Sequence, residues 1–212
     1  MKKFALILFC LLAPYIAVAE ANPSMTKIEY RYISPQIPPN SFGAKSTILY
    51  IAGTSYSRSE EQPDPEQGIH GLIVTSGPDV WMINLFDKTG QHIVDPGPTF
   101  ITHHNIMRLD APKEFMSLEF GKELSFFHNH NTTKLKEQLL DGQLCEGLEF
   151  KYQDYRLVLF VQKATQKPFQ LDIFKNGENI FAIKYISYGT NLPFQATLFH
   201  PPANIKITEA KH

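Results

Sequence analysis

Short segments in which apolar and polar residues alternate follow one another closely along this chain. The alternation is clearest over residues 155–161, 169–173 and 181–185, and a period of two places every second side chain on the same face of an extended strand. Between two of these segments, Asn176-Gly177 is a dipeptide typical of a tight hairpin turn. Because little helical sequence separates the segments, the pattern predicts a mainly β fold built on an antiparallel sheet rather than on strand–helix–strand units.

One strand and one helix depart from this pattern. Residues 80–86 are apolar on both sides, which predicts that another layer covers the sheet there. Asp110 and Pro112 are typical of the start of a helix, and the Asn and His residues at 128–131 suit its end. Within this range apolar residues recur at helical spacing, namely Met116, Phe120, Leu124 and Phe127. The sequence therefore predicts a single amphipathic helix that lies on one face of the sheet.

Residues 1–19 have the composition of a bacterial secretory signal peptide. Two lysines precede a short apolar run, and Ala17-Val18-Ala19 supplies the small residues that a signal peptidase reads. Cleavage is expected after Ala19, with Ala21 as the alternative. We therefore predict a single domain over residues 20–212 that is periplasmic or secreted and has no transmembrane segment after cleavage.

Export also affects the cysteines. Cleavage removes Cys10, so Cys145 remains as the single cysteine and an internal disulfide is excluded. A reactive thiol or an intermolecular bridge is one interpretation. The other is a small buried residue, and the frequent burial of free cysteine favours it.

The motifs of the common catalytic sites do not occur in the sequence. It contains no G-x-S-x-G, P-loop, G-x-G-x-x-G, H-E-x-x-H or C-x-x-C. With 20 Lys and Arg against 21 Asp and Glu, and no basic block, it also lacks the clustered positive charge that nucleic-acid binding needs. We therefore predict a protein that is not an enzyme, with no catalytic residues, no cofactor and no nucleic-acid partner.

Histidine and aspartate residues supply the alternatives to that prediction. His128 and His130 lie two residues apart, and together with His103-His104 they are candidate ligands for Zn²⁺ or Cu²⁺. No carboxylate or cysteine nearby completes the set, so a solvated helix end is favoured over a metal site. Asp95 is similarly a candidate general acid or base, but its Asp-Pro-Gly-Pro context favours a shaped turn between the sheet and the helix.

The order of these elements resembles a known superfamily. An export signal, consecutive antiparallel strands, one helix and the closing segment at residues 198–207, with Phe199, Pro201 and Pro202, are similar to the LolA-like (outer-membrane lipoprotein carrier-like) superfamily, in particular its uncharacterised exported branch. The segment at 54–61 is also similar to a strand of that superfamily. The resemblance implies a curved, half-open antiparallel sheet, an unclosed barrel, whose apolar concave face is covered by helix. It also implies binding of acyl chains or lipids and an envelope protein or lipoprotein as a partner.

These observations lead to three hypotheses about function. The first is an exported carrier or sensor of a hydrophobic ligand, with a pocket lined by Trp81, Met82, Phe120, Leu124 and Phe127. The second is a structural or interaction module of the envelope, in which the same residues form a filled core. The third, and the least favoured, is a metal-dependent enzyme that uses His128 and His130.

Overall fold

The computed structural model of the protein describes residues 23–107 and 111–210, so the proposed signal segment lies outside the described residues. Twelve strands form one sheet. Their bounds are β1 (Met25–Tyr32), β2 (Thr47–Ala52), β3 (Tyr56–Glu61), β4 (Gly71–Ser76), β5 (Asp79–Asn84), β6 (Thr89–Val94), β7 (Thr133–Leu140), β8 (Gln143–Tyr152), β9 (Tyr155–Gln162), β10 (Pro168–Lys175), β11 (Glu178–Leu192) and β12 (Lys206–Glu209).

The sheet is open and almost wholly antiparallel, which confirms the predicted fold class. Its spatial order is β12-β6-β5-β4-β3-β2-β1-β11-β10-β9-β8-β7, and only the pair β12–β6 is parallel. The chain starts at the centre with β1, runs outward through β2–β6, and returns from the opposite edge through β7–β11. The predicted hairpin at Asn176-Gly177 is also confirmed: both residues have positive φ, 52° and 84°, as a type I′ turn requires.

The predicted helix is much shorter than expected. The described residues contain a single α-helix, α1, which spans Glu123–Asn129, and a one-turn 3-10 helix spans Lys113–Phe115. Between them the chain pairs with the preceding residues 104–106: Ile106 N–H donates to the Leu118 carbonyl at 3.0 Å. Gly121, with φ of 86°, reverses the chain just before α1, because glycine adopts the left-handed region without steric cost. Asp110, the predicted start of the helix, lies outside the described residues.

Residues 95–132 connect β6 to β7 and are called the strap here. Because β6 and β7 lie near opposite edges of the sheet, the strap has to cross a face of the sheet. Its apolar side chains pack there against those of β1, β2 and β8–β11. The buried members from the strap are Ile106, Phe115, Leu118, Phe120, Phe126 and Phe127. This contact forms the principal core.

The strap covers only part of its face. In the described part of the chain, the principal core contains residues of β1, β2 and β8–β11 but none of β4–β6. Met82 and Phe86 are consequently 47% and 53% exposed. The expectation that residues 80–86 are covered on both sides is therefore wrong, because the strap passes over the other half of the sheet.

The opposite face carries three smaller apolar clusters. One contains Phe199 and Met25, another contains Leu72 and Val74 packed against Ile207 of β12, and the third contains Cys145. Cys145 is fully buried, and burial raises the pKa of its thiol. The interpretation of Cys145 as a small buried residue is confirmed. Among the described residues, no helix has the length and apolar character needed to cross a membrane.

Candidate functional site

The five residues predicted to line a pocket are not brought together. Trp81 and Met82 are adjacent in β5, so their side chains lie on opposite faces of the sheet. Trp81 packs against the cluster of Leu72 and Val74, whereas Met82 lines a shallow groove on the part of the face that the strap leaves open. Phe120 and Phe127 are buried in the principal core, and Leu124 packs at its edge.

A cavity lies elsewhere between the strap and the sheet. Its volume is about 320 Å³, and one side is formed by the strap residues Ile106, Met107 and Ala111. The other side is formed by the ends of β9, β10 and β11 at their shared hairpin edge, with Tyr155, Lys175, Ile180 and Phe181. Five of these seven side chains are aliphatic or phenyl groups, so the cavity suits an apolar ligand.

The cavity has a buried end and an exposed end. Ile106 is buried in the principal core, while Ile180 is 37% exposed. The Lys175 ammonium lies 5.0 Å from the centre of the Tyr155 ring, a distance within the range of a cation–π contact. Among the described lining residues, the two polar side chains, Lys175 and Tyr155, thus contact each other, and the other five are apolar.

Sequence reasoning missed this cavity because its walls come from three distant parts of the chain. The local signal that was available is the pair Ile180-Phe181, directly after the Asn176-Gly177 turn. Two adjacent apolar residues at the start of a strand break the alternation, which indicates contact on both faces. Nothing local connects that pair with Ile106 and Met107 on the strap.

A fully buried carboxylate anchors the strap to the sheet. Glu123 is 0% exposed, and it accepts hydrogen bonds from the hydroxyls of Tyr185 at 3.0 Å and Tyr188 at 2.7 Å. It also accepts one from the backbone N–H of Gly121 at 3.0 Å. Burial raises the pKa of the Glu123 carboxyl, and the hydrogen bonds oppose that shift. Burial likewise raises the pKa of both phenols, which keeps them as neutral donors.

A second polar cluster holds the strap residues to one another. The Glu119 carboxylate lies 2.9 Å from both His103 Nδ1 and Lys122 Nζ. Burial alone would raise the pKa of Glu119, but its bonds to His103 and Lys122 lower it. Beside them, burial lowers the pKa of His104 to about 4, so its imidazole is neutral at pH 7. These groups shape the strap, and none of them is among the residues that line the cavity.

Of the predicted metal ligands, His103 binds Glu119 in that cluster, whereas His128 and His130 take no part in it. His128 is exposed near the end of α1, and His130 Nδ1 is 2.7 Å from the Phe126 carbonyl, to which it donates. Within residues 23–107 and 111–210, no three His, Cys, Asp or Glu residues are placed to hold a metal ion. Asp95 accepts the N–H of Gly97 at 2.8 Å, which fits the shaped turn rather than a general acid or base.

One further charged cluster fastens β12 to the sheet. His92 Nδ1 lies 2.9 Å from a Glu209 carboxylate oxygen on β12, and His92 Nε2 lies 2.8 Å from Asp79 on β5. The imidazole also stacks on Trp81, with ring centres 5.1 Å apart and planes at 12°. Both ring nitrogens can donate only when the ring is protonated. The hydrogen bonds to Glu209 and then to Asp79 accordingly raise the pKa of His92 above its ordinary 6.5.

This cluster predicts that β12 is held more firmly at acidic pH. Because the pKa of His92 is raised on folding, its stabilisation is fully present below about pH 6.5 and is lost as pH rises through the folded-state pKa. Amide hydrogen exchange at Ala210 and Lys206, corrected for its intrinsic pH dependence, should become up to about fivefold faster on going to about pH 8, as expected for exposed ion pairs. The variant His92→Gln should show no such change; an identical pH dependence in the variant would refute the assignment.

Comparison with known proteins gives structural matches only. No protein-family model matches the chain, and no curated protein matches it by sequence. Similar solved structures include an uncharacterised conserved protein from Thermus thermophilus, with 9% identity over 89% of this chain and 91% of that chain and a TM-score of 0.47. They also include MucB of the Pseudomonas aeruginosa MucA/MucB complex, with 12% identity over 87% of this chain and a TM-score of 0.43.

This chain spans 58% of MucB. A third solved structure is a LolA superfamily protein from Nitrosomonas europaea, with 11% identity over 85% of this chain and 90% of that chain and a TM-score of 0.32. At these identities and scores the matches concern the fold alone and carry no conclusion about function. A LolA superfamily protein, the superfamily that the sequence resembles, is thus among the solved structures similar to this chain.

Proposed function

We propose that this protein is an exported, non-enzymatic carrier or sensor of a hydrophobic ligand, which it holds in the cavity between the strap and the sheet. The observation that carries the proposal is the cavity of about 320 Å³ with its largely apolar lining. This volume lies at the lower end of the range for small-molecule sites, about 300 to 1,000 Å³. It suits a single acyl chain rather than a lipid with several chains.

Apolar burial supplies the driving force for such binding. Each methylene group that leaves water contributes about 0.8 kcal/mol, so a chain of several methylenes can bind without a strong polar contact. The predicted signal peptide at residues 1–19 supports a location outside the cytoplasm. In that aqueous compartment, an acyl chain released from lipid needs a protein that shields it from water. An acyl chain that enters the cavity past Ile180 would contact Phe181 and then Ile106.

The proposal predicts that a charge at the exposed end of the cavity weakens acyl-chain binding. Ile180→Asp should raise the dissociation constant of a fluorescent acyl probe about tenfold, because it removes apolar contact and places a carboxylate beside the chain. Fluorescence titration measures the constant. The matched control is Ile186→Asp, the same substitution at a 51% exposed isoleucine of the same strand.

The control variant should bind the probe as the wild type does. Organic extraction of purified protein followed by mass spectrometry should also recover lipid. Failure to bind any acyl probe, together with an extract free of lipid, would refute the proposed function.

The groove on the uncovered half of the sheet favours a second candidate function. Ile73 and Met82 are each 47% exposed there, and neighbouring exposed apolar side chains can form part of a larger apolar patch that binds a protein partner. In this second function the protein would be an interaction module of the envelope that binds a protein partner and carries no ligand. Crosslinking that returns one protein partner from a protein that binds no acyl chain would favour this function over the first.

A further inference from the structure

We propose that the tip of the β7–β8 hairpin docks reversibly on an anionic lipid surface, into which it inserts Leu139 and Leu144. This surface lies apart from the ligand cavity. The cavity includes Tyr155 at the start of β9, whereas the hairpin tip lies beside the turn that follows the end of β9. The inference therefore goes beyond the proposed function and can be tested independently of it.

Two exposed leucines lie side by side at the hairpin tip. Leu139 and Leu144 are direct partners in the register of β7 and β8, so their side chains lie on the same face of the hairpin. They are 71% and 45% exposed, and Leu139 is the most exposed of the large apolar side chains in the described ranges. Antiparallel strands commonly place polar side chains on the face that meets water, so packing within the fold does not account for this pair.

The other face of the hairpin holds the tip against the protein. Leu140, next to Leu139, packs against the cluster that contains Cys145. The Asp141 carboxylate at the turn lies 2.6 Å from Nζ of Lys184 on β11, although β9 and β10 lie between β8 and β11. The hairpin therefore bends across that face of the sheet. Because successive side chains of a strand point to opposite faces, the two leucines are directed outward into solvent.

Positive charge surrounds the two leucines. The Lys163 N–H donates to the Leu144 carbonyl at 2.9 Å, which joins the β9–β10 turn to the hairpin tip. The hairpin and the turn carry four exposed lysines, namely Lys134, Lys136, Lys163 and Lys167. Residues 133–146 and 163–167 contain three acids, of which Glu137 pairs with Lys163 and Asp141 pairs with Lys184. The remaining small excess of positive charge attracts anionic lipid head groups.

A lipid surface fits this patch better than a protein partner does. Two leucines offer far less area than the roughly 800 Å² that each partner contributes to a stable protein interface. Strand addition at the free edge of β7 is also disfavoured, because a bulge interrupts its register between Leu135 and Gln138 and because Lys134 and Lys136 lie on that edge strand. A bilayer needs neither a large complementary area nor a strand partner.

The contact is expected to be weak. Binding to the membrane interface increases with the apolar area that is buried, and even a single myristoyl chain binds only reversibly. Two leucines bury less apolar area than such a chain, while neighbouring lysines can keep their ammonium groups at the level of the head groups. A brief contact of this kind suits a protein that collects or delivers an acyl chain and then leaves the membrane.

Vesicle sedimentation tests the proposal. The wild type should sediment more with vesicles of three parts phosphatidylcholine and one part phosphatidylglycerol than with phosphatidylcholine alone. The double variant Leu139→Asp with Leu144→Asp should lower the partition coefficient on the anionic vesicles at least about tenfold, because it removes two apolar side chains and adds charge of the same sign as the lipid. Lys136→Gln with Lys167→Gln should weaken binding to the anionic vesicles and leave binding to phosphatidylcholine unchanged.

Controls separate loss of docking from loss of folding. Ile73→Asp places the same charge at a 47% exposed isoleucine of β4, on the other half of the sheet, and should sediment as the wild type does. Because both leucines are exposed, the double variant should unfold at the same urea concentration as the wild type. Leu139→Ser, a milder change, should give an intermediate loss of vesicle binding.

The outcomes bear on the hairpin alone. Failure of the wild type to sediment with the anionic vesicles, or equal sedimentation of the wild type and the double leucine variant, would overturn the proposal and leave the acyl-chain cavity as a separate question. Equal binding to both kinds of vesicle would overturn the preference for anionic lipid. A dimer in sedimentation velocity that the double variant abolishes, without vesicle binding, would assign the two leucines to a second copy of the chain instead.

Discussion

Replacing Phe127 with alanine is expected to lower the free energy of unfolding by about 3 to 5 kcal/mol, the usual loss for a fully buried phenylalanine. Phe127 lies on α1 and is 0% exposed. Its ring packs edge-on against Phe126, with centres 5.4 Å apart, within the core shared by the strap and the sheet. Removing the ring leaves a cavity that a close-packed interior fills only in part. Urea denaturation monitored by tryptophan fluorescence and circular dichroism measures the change.

The neighbouring His128 provides the matched control for this variant. It is exposed on the same helix, so His128→Ala should change the unfolding free energy by less than about 0.5 kcal/mol. A loss in Phe127→Ala no larger than in His128→Ala would mean that α1 does not belong to the cooperative core. The strap would then be a peripheral segment, and a cavity beneath it would have no firm wall.

The sheet could be predicted because its information is local. Each strand of β9–β11 shows its own alternation, and the Asn176-Gly177 turn fixes how β10 and β11 pair. A period of two and a turn that requires positive φ are both visible in a few residues. The order of twelve strands, with β1 near the centre between β2 and β11, depends on contacts between distant segments, and no local pattern predicts it.

The strap shows why the helix was overestimated. Apolar residues at Met116 and Phe120 have helical spacing, but the same spacing also suits a chain that touches a core at intervals. The deciding contact is the bridge between Asn105 and Glu119, which joins two parts of the strap and replaces helical hydrogen bonds. Such tertiary pairing overrides propensity, and no local pattern reports it.

The candidate site depends on geometry that the sequence does not contain. Whether Phe120 and Phe127 line a pocket or fill a core is decided by how closely the strap approaches the sheet. They pack directly onto it, and the space remains instead beside Met107 and Phe181. The placement of Trp81 and Met82 on opposite faces, by contrast, follows from their adjacency in a strand.

The Glu123 carboxylate is expected to be the most sensitive polar group of the fold. Glu123→Leu should lower the free energy of unfolding by at least about 3 kcal/mol, because it leaves the Tyr185 and Tyr188 hydroxyls and the Gly121 N–H without their acceptor, and each orphaned buried donor costs about 1 to 3 kcal/mol. Glu123→Gln keeps the shape and one acceptor oxygen, so its loss should be smaller, about 1 kcal/mol at neutral pH.

The wild type and Glu123→Gln should also differ in how their free energy of unfolding depends on pH. Because burial raises the pKa of Glu123 above its ordinary 4.5, the folded state favours the protonated acid. The stabilisation from that preference is fully present below about pH 4.5 and is lost as pH rises through the folded-state pKa. The stability of the wild type relative to Glu123→Gln should therefore decrease between about pH 4.5 and pH 8, as measured by urea denaturation at matched ionic strength. A difference that stays constant, or grows with pH, would mean that the three donors stabilise the Glu123 carboxylate more than burial penalises it.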